Sequence, residues 1–115
     1  MTNKRTEMKK YVGTWKITEM DQWDMDYIDM ESPGCVVIDK NGQGKIHFGA
    51  VEVGIDCRLE PSAGGVRLGF SFEGNDEGDP VGGRGWAFVD GEEMTGHIFF
   101  HLGDDSGFRA KRHLY

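Results

Sequence analysis

Acidic side chains alternate with large apolar ones in DQWDMDYIDME, from Asp21 to Glu31. Carboxylates spaced so closely could attract a cation, hold a calcium ion, or share general acid and base duties. Two further segments add to the same chemistry: GNDEGDPVGG supplies Asp76, Glu77 and Asp79, and GDDSG supplies Asp104 and Asp105. Together the three segments hold ten of the chain's twenty acidic residues and none of its thirteen lysines and arginines. Interleaved with them, Trp23, Tyr27, Ile28 and Met30 offer apolar surface. The pattern suits a negative rim with an apolar lid. Asp and Gly are also ordinary turn and capping residues, and an acidic surface keeps a small protein soluble.

Other chemistries fail on spacing. In DKNGQG, Asp39, Asn41 and Gln43 alternate like the first ligands of a calcium loop, but the twelfth position is Ala50 where a bidentate glutamate is needed. His97 and His101 share a strand face at a separation of about 13 Å, too far for one zinc ion. His47 and His113 lie elsewhere in the chain. Ser106 in GDDSG lacks the Gly-x-Ser-x-Gly frame of a nucleophile elbow, and no glycine-rich phosphate loop is present. Glu19 and Glu73 are the carboxylates that could pair for glycoside chemistry, which depends on their separation. No catalytic residue, metal site or cofactor is assigned.

The elements that must position these groups read as strands. Thr14–Met20, Cys35–Asp39, Gly44–Gly49, Val51–Leu59, Val66–Glu73, Arg84–Val89, Met94–His101 and Phe108–Arg112 are bounded by turn residues. Alternation is clearest in VEVGIDCRL and VRLGFSF, where Val51, Val53, Ile55, Cys57 and Leu59, and Val66, Leu68, Phe70 and Phe72, form stripes suited to a core. Asn41-Gly42, Asp90-Gly91 and Pro61–Gly65 mark hairpins. A short helix over Asp24–Met30 would put Trp23, Tyr27 and Met30 on one face, and residues 2–10 suit another. Eight strands with short links predict an all-β, antiparallel up-and-down barrel, which leaves no exposed sheet edge.

The Gly13-Thr14-Trp15 triplet in the first strand resembles the Gly-x-Trp signature of the lipocalin and calycin group. That resemblance implies a barrel whose tryptophan plugs the closed end beneath a basic residue of the last strand, here Arg112 ahead of Arg109. The chain is shorter than typical lipocalins and has no helix after the eighth strand, so only the fold is implied. GTWKITEM, GNDEGDP, GRGWA and FFHLGDDSGF also resemble a family of short bacterial proteins of unassigned function.

Within a meander, the acidic loops gather at one end, with a mouth among them. Glu19, Asp76, Asp79 and Asp104 would supply its polarity, and Trp23, Tyr27, Met30, Phe70, Phe72 and Trp86 its walls or lid. Glu19 and Arg84 are expected to point inward near the mouth and to pair, since a lone buried charge is costly. Trp15, Phe48, Phe70, Phe72, Trp86, Phe88, Phe100 and Phe108 are the expected inward rings, enough to fill a narrow barrel. Val36, Ile38 and Phe99 are the apolar groups expected outside. Cys35 and Cys57 fall two strands apart, at about 10 Å, too far to bridge. Both are expected to be reduced and packed in the core.

A chain of 115 residues makes one domain, and its 18 glycines read as turn punctuation in a β fold. The net charge of −7 argues against nucleic acid and anionic membranes as partners. MTNKRTEMKK carries four basic residues with no apolar run after it, so neither a signal peptide nor an anchor is expected, and the cytoplasm is the expected home. The leading functional expectation is a barrel that binds a small cationic or amphipathic molecule at its acidic mouth. The alternatives are a side-chain-filled interaction module, with homodimerisation open, and a carboxylate-based enzyme.

Overall fold

The structure, a computed structural model, describes residues 4–113. Eight antiparallel strands close in chain order into one up-and-down barrel: β1 (Gly13–Met20), β2 (Cys35–Ile38), β3 (Gln43–Phe48), β4 (Val51–Ser62), β5 (Gly65–Asp76), β6 (Asp79–Asp90), β7 (Glu93–Phe100) and β8 (Asp105–Arg112). Helix α1 (Lys4–Lys9) precedes β1, and the four-residue α2 (Met25–Ile28) lies in the β1–β2 connection. Residues 2 and 3 of the expected N-terminal helix lie outside the described residues.

β4 keeps the alternation read from its sequence, with Val51, Val53, Ile55 and Cys57 all buried. Its partner β5 contributes Leu68, Phe70 and Phe72. Both strands run longer than expected. β5 and β6 extend to Asp76 and Asp79, so GNDEGDPVGG is not a long mouth loop. A tight turn at Glu77 and Gly78, both with positive φ (52° and 88°), replaces it. That is the conformation whose twist matches flanking antiparallel strands.

Three strands depart from the phase expected of them. In β6 the inward positions are Gly83, Gly85 and Ala87, whereas Arg84, Trp86 and Phe88 point outward. The reason is volume. Phe70 and Phe72 pair with Gly85 and Gly83 and lay their rings against them. In β1 a bulge between Ile17 and Glu19 shifts the register against β8. Thr18 and Glu19 then share the exposed face, and Met20 turns inward beside Phe108. A bulge of this kind re-aims every later side chain. β2 is also inverted relative to expectation. Val36 and Ile38 are buried, and Cys35 faces out, half-covered.

The interior is therefore filled by side chains from both ends. Trp15, Ile17, Leu68 and Met94 occupy the lower layers, and Phe48, Phe72 and Phe108 the upper ones. At the lower end, the Arg112 guanidinium lies 4.2 Å from the Trp15 ring centre. It also donates to the carbonyls of Val12 and Lys10 at 2.9 and 2.8 Å. Trp15 Nε1 donates to the Tyr11 carbonyl at 2.9 Å, which ties the segment before β1 to the barrel floor.

Two outcomes follow from this packing. A methyl group at Gly85 would come within 2.5 Å of the Phe70 ring and of the His97 carbonyl oxygen. Gly85→Ala is expected to destabilise the fold by about 1–3 kcal/mol through overpacking, read by urea denaturation. Burial pushes the Cys57 thiol up to about 12. The folded protein thus keeps a proton that the unfolded chain releases near pH ~8.5. The associated stability is complete below that pH and is lost as pH rises toward 12. At pH 8, Cys57 should stay silent to Ellman's reagent until denaturant is added.

Candidate functional site

The mouth end is stoppered. Asp24 caps α2, its carboxylate accepting from Tyr27 N at 3.0 Å. The helix carries Ile28, fully buried, into the top of the core. Trp23 packs its ring 5.0 Å from Phe48 and 6.2 Å from Phe100, and Phe100 meets Phe72 at 5.2 Å. Tyr27 lies over Gly49, where φ is +55° and a Cβ would fall within the tyrosine ring. Its hydroxyl accepts from Ala50 N at 3.3 Å. Met30, expected in this cluster, is exposed, because Ile28 and not Met30 faces the barrel.

Several of the acids are taken up in building this lid. Asp21 accepts from Gly107 N at 3.1 Å. Asp29 accepts from Gly34 N at 2.8 Å and pairs with Lys16 at 2.9 Å. Ser106, buried and not singled out by sequence as structural, accepts from the backbone N–H groups of Asp21 and Gln22 and donates to the Gly107 carbonyl. Asp76 is half-buried opposite the exposed Asp79, and Asp104 is exposed. Among the described residues, no group of three or more His, Cys, Asp or Glu side chains is placed to hold a metal ion.

The expected Glu19–Arg84 pair does not form inside the barrel. Both residues are exposed on the outer surface, Glu19 through the β1 bulge and Arg84 through the phase of β6. Phe70 and Phe72 serve the core, where they lean on glycines. Trp86, Phe88 and Arg84 instead join outward groups of β4, β5 and β7. Trp86 stacks 6.2 Å from His97 and meets Phe88 at 5.8 Å, and His97 lies 4.5 Å from Phe99. The Arg67 guanidinium sits 5.1 Å over Trp86, and that of Arg84 5.3 Å over Phe99.

Arg67, Arg84, Trp86 and Phe99 border an outer cleft of about 480 Å³ whose lining includes Gly69 and Gly85. Glu60 lies over Gly69, where a Cβ would collide with its carboxylate, and holds Arg67 at 2.7 Å. Arg58 meets Asp56 at 3.5 Å. Arg84 has no carboxylate partner among the described residues. A second concavity continues the cleft along β6 and β7 through Arg84 and Phe99 to Leu102. Leu102 is 95% exposed and has a φ of +58°, a conformation that a bulky residue seldom adopts.

A third grouping lies outward on β2 to β4, where Cys35, His47 and Glu52 are cross-strand neighbours. Ser32 Oγ lies 2.7 Å from His47 Nε2, and His47 Nδ1 is buried without a partner. Were Ser32 a nucleophile donating to Nε2, the ring proton would sit on that orphaned Nδ1, leaving a buried donor unmade. With the proton on Nε2, His47 donates to Ser32 and is no base toward it. Burial also raises the Cys35 thiol above its ordinary range, so it is not an activated thiolate.

The Gly34 N–H and then Lys16 hold the Asp29 carboxyl below its ordinary range. Stability from this clamp is present above the unfolded carboxylate value and is lost as pH falls through the lower, folded one. Asp29→Asn is expected to lower stability at pH 7 by under about 1 kcal/mol, because the pair is solvent-screened. The difference from the parent should shrink as the pH is lowered below about 4, measured by thermal denaturation across pH.

No family model, curated protein or solved structure matches the chain, so the site is defined by its own geometry.

Proposed function

We propose that this protein is an interaction module: a side-chain-filled barrel whose outer wall docks an extended acidic segment of a partner protein. The observation that carries this reading is Arg84. It lies over Phe99 and beside Trp86 in a cleft where Glu60 holds Arg67 at 2.7 Å and Arg58 has a looser contact with Asp56 at 3.5 Å, while Arg84 has no carboxylate partner among the described residues. A carboxylate entering the cleft finds a cation to pair with, and apolar groups beside it find aromatic faces. Trp, Tyr and Arg anchors are the residue types that dominate docking energetics. The exposed Leu102 extends the apolar surface along the same groove.

The reading of a small cationic or amphipathic molecule inside the mouth has less support. Core side chains occupy the interior, the lid rings pack on Phe48 and Phe100, and Asp21, Asp24 and Asp29 are engaged in the loop itself. A carboxylate enzyme loses its inward pair with Glu19 outside. Two unbridged cysteines suit a reducing compartment, so the cytoplasm is the setting we favour. The net charge of −7 favours a protein partner over nucleic acid or an anionic membrane. The likeness to short bacterial proteins adds no activity to this reading.

The test is fluorescence anisotropy with a labelled peptide alternating glutamate with phenylalanine and valine, against its lysine counterpart. The acidic peptide should bind and the basic one should not. Binding should weaken at ~1 M salt, where the Debye length is about 3 Å. Arg84→Glu should cost about tenfold in affinity and Trp86→Ala a similar amount. Equal binding by parent and both variants would overturn the proposal. Concentration-dependent sedimentation with no peptide binding would replace the partner with a second copy of this chain.

A further inference from the structure

The lower end of the barrel carries a further concavity of about 850 Å³ between α1 and the outer surface of β4, which meets the Arg84 cleft at Arg58 and Leu59. Its apolar side is made by Met8, Val12 and Leu59, and its rim by Lys9, Lys40 and Arg58. Met8 and Leu59 rest on the buried core, so the floor is continuous with the barrel's packing. Both walls are held in place. Arg112 grips the carbonyls of Lys10 and Val12 on one side. On the other, Asp39 closes the β2–β3 turn by accepting from the N–H groups of Asn41 and Gln43 at 2.8 and 3.1 Å.

The lining of this cleft carries lysine and arginine but no Asp or Glu, in a chain whose net charge is −7. Lys9 and Lys40 have no ion pair among the described residues. Arg58 has only a 3.5 Å contact with Asp56, and both side chains are largely exposed. Such a pair is screened and yields readily to a competing anion. The acid-rich loops lie at the far end of the barrel, and the nearer carboxylates of Asp39 and Glu7 are engaged in the β2–β3 turn and with Lys10. Three cations from three separate elements surround an apolar floor. A bare inorganic anion would leave that floor wet, and a neutral hydrocarbon would leave the cations unmatched. The volume falls within the ~300–1,000 Å³ of small-molecule sites.

From this geometry we infer that the cleft under α1 binds an amphipathic monoanion, with its alkyl tail on Met8, Val12 and Leu59 and its head group among Lys9, Lys40 and Arg58. The site adjoins the Arg84 cleft through Arg58 and Leu59 but includes neither Arg84, Trp86 nor Phe99, and the inference does not rest on the docking function proposed above.

The experiment is a ¹H–¹⁵N correlation titration of the full chain with decanoate below its micelle concentration, beside decyltrimethylammonium and decanol. Shifts should be confined to residues 8–12, 40–42 and 57–59, with decanoate tightest of the three. Lys9→Glu/Lys40→Glu should weaken decanoate about tenfold while keeping a dispersed spectrum, since exposed charge pairs act on that scale. Arg84→Glu, which disables the other cleft, should leave decanoate binding unchanged. Equal affinity for the cationic detergent, shifts at the mouth instead, or no loss in the double variant would overturn the inference. So would binding to phosphatidylglycerol vesicles without binding to the monomeric anion.

Discussion

Eight strands enclose a space just wide enough to be filled by side chains, and every large ring placed there must be matched by something small across the sheet. In this barrel glycine supplies the match. Phe70 and Phe72 lie against Gly85 and Gly83, and the Phe108 ring approaches within 2.6 Å of where a Cβ on Gly96 would stand. β6 and β7 can hold these glycines inward only if their alternate residues turn outward. Arg84, Trp86, Phe88, His97 and Phe99 are thereby displayed on the outer wall. The half-covered aromatic ladder on the outer wall is thus the geometric counterpart of the filled core.

The two ends of the barrel are closed by different physics. At the lower end a cation–π contact between Arg112 and Trp15, with hydrogen bonds to the carbonyls of Lys10 and Val12, locks the chain before β1. At the upper end the closure is aromatic. Trp23 and Tyr27 pack on Phe48, and a carboxylate at each end of α2 organises the loop that carries them. The alternation of acid and hydrophobe from Asp21 to Asp29 is explained by that division. The apolar members cover the core, while Asp24 caps the helix and Asp21 and Asp29 tie the loop to β8, to Gly34 and to Lys16.

Charge is distributed along the barrel axis accordingly. The upper loops carry acids without lysine or arginine, while the cleft under α1 is rimmed by Lys9, Lys40 and Arg58. The outer wall of β4 to β7 stands between these extremes, with Arg58 against Asp56, Arg67 held by Glu60, and Arg84 without a carboxylate partner among the described residues. A molecule of net charge −7 therefore presents two local cationic surfaces. Each is next to apolar side chains, which is where a charge contributes most to recognition.

Strand number, meander order and the location of the acidic loops were legible in the sequence, because turn residues and period-two stripes report local backbone preferences directly. The stripe of β4 survives unchanged for that reason. What sequence alone could not decide was phase. GRGWAF permits either the glycines or the aromatics to face inward, and hydrophobicity favours the aromatics. Only the register against Phe70 and Phe72 shows that the volume is already taken. GTWKITEM likewise contains Trp15, Ile17 and Met20, which no regular alternation can place on one face, and the bulge that reconciles them needs β8 opposite. Side-chain chemistry and turn geometry were thus set by the chain itself. Which face of each strand met water was decided by cross-strand packing, because the space inside the barrel is shared by all eight strands at once.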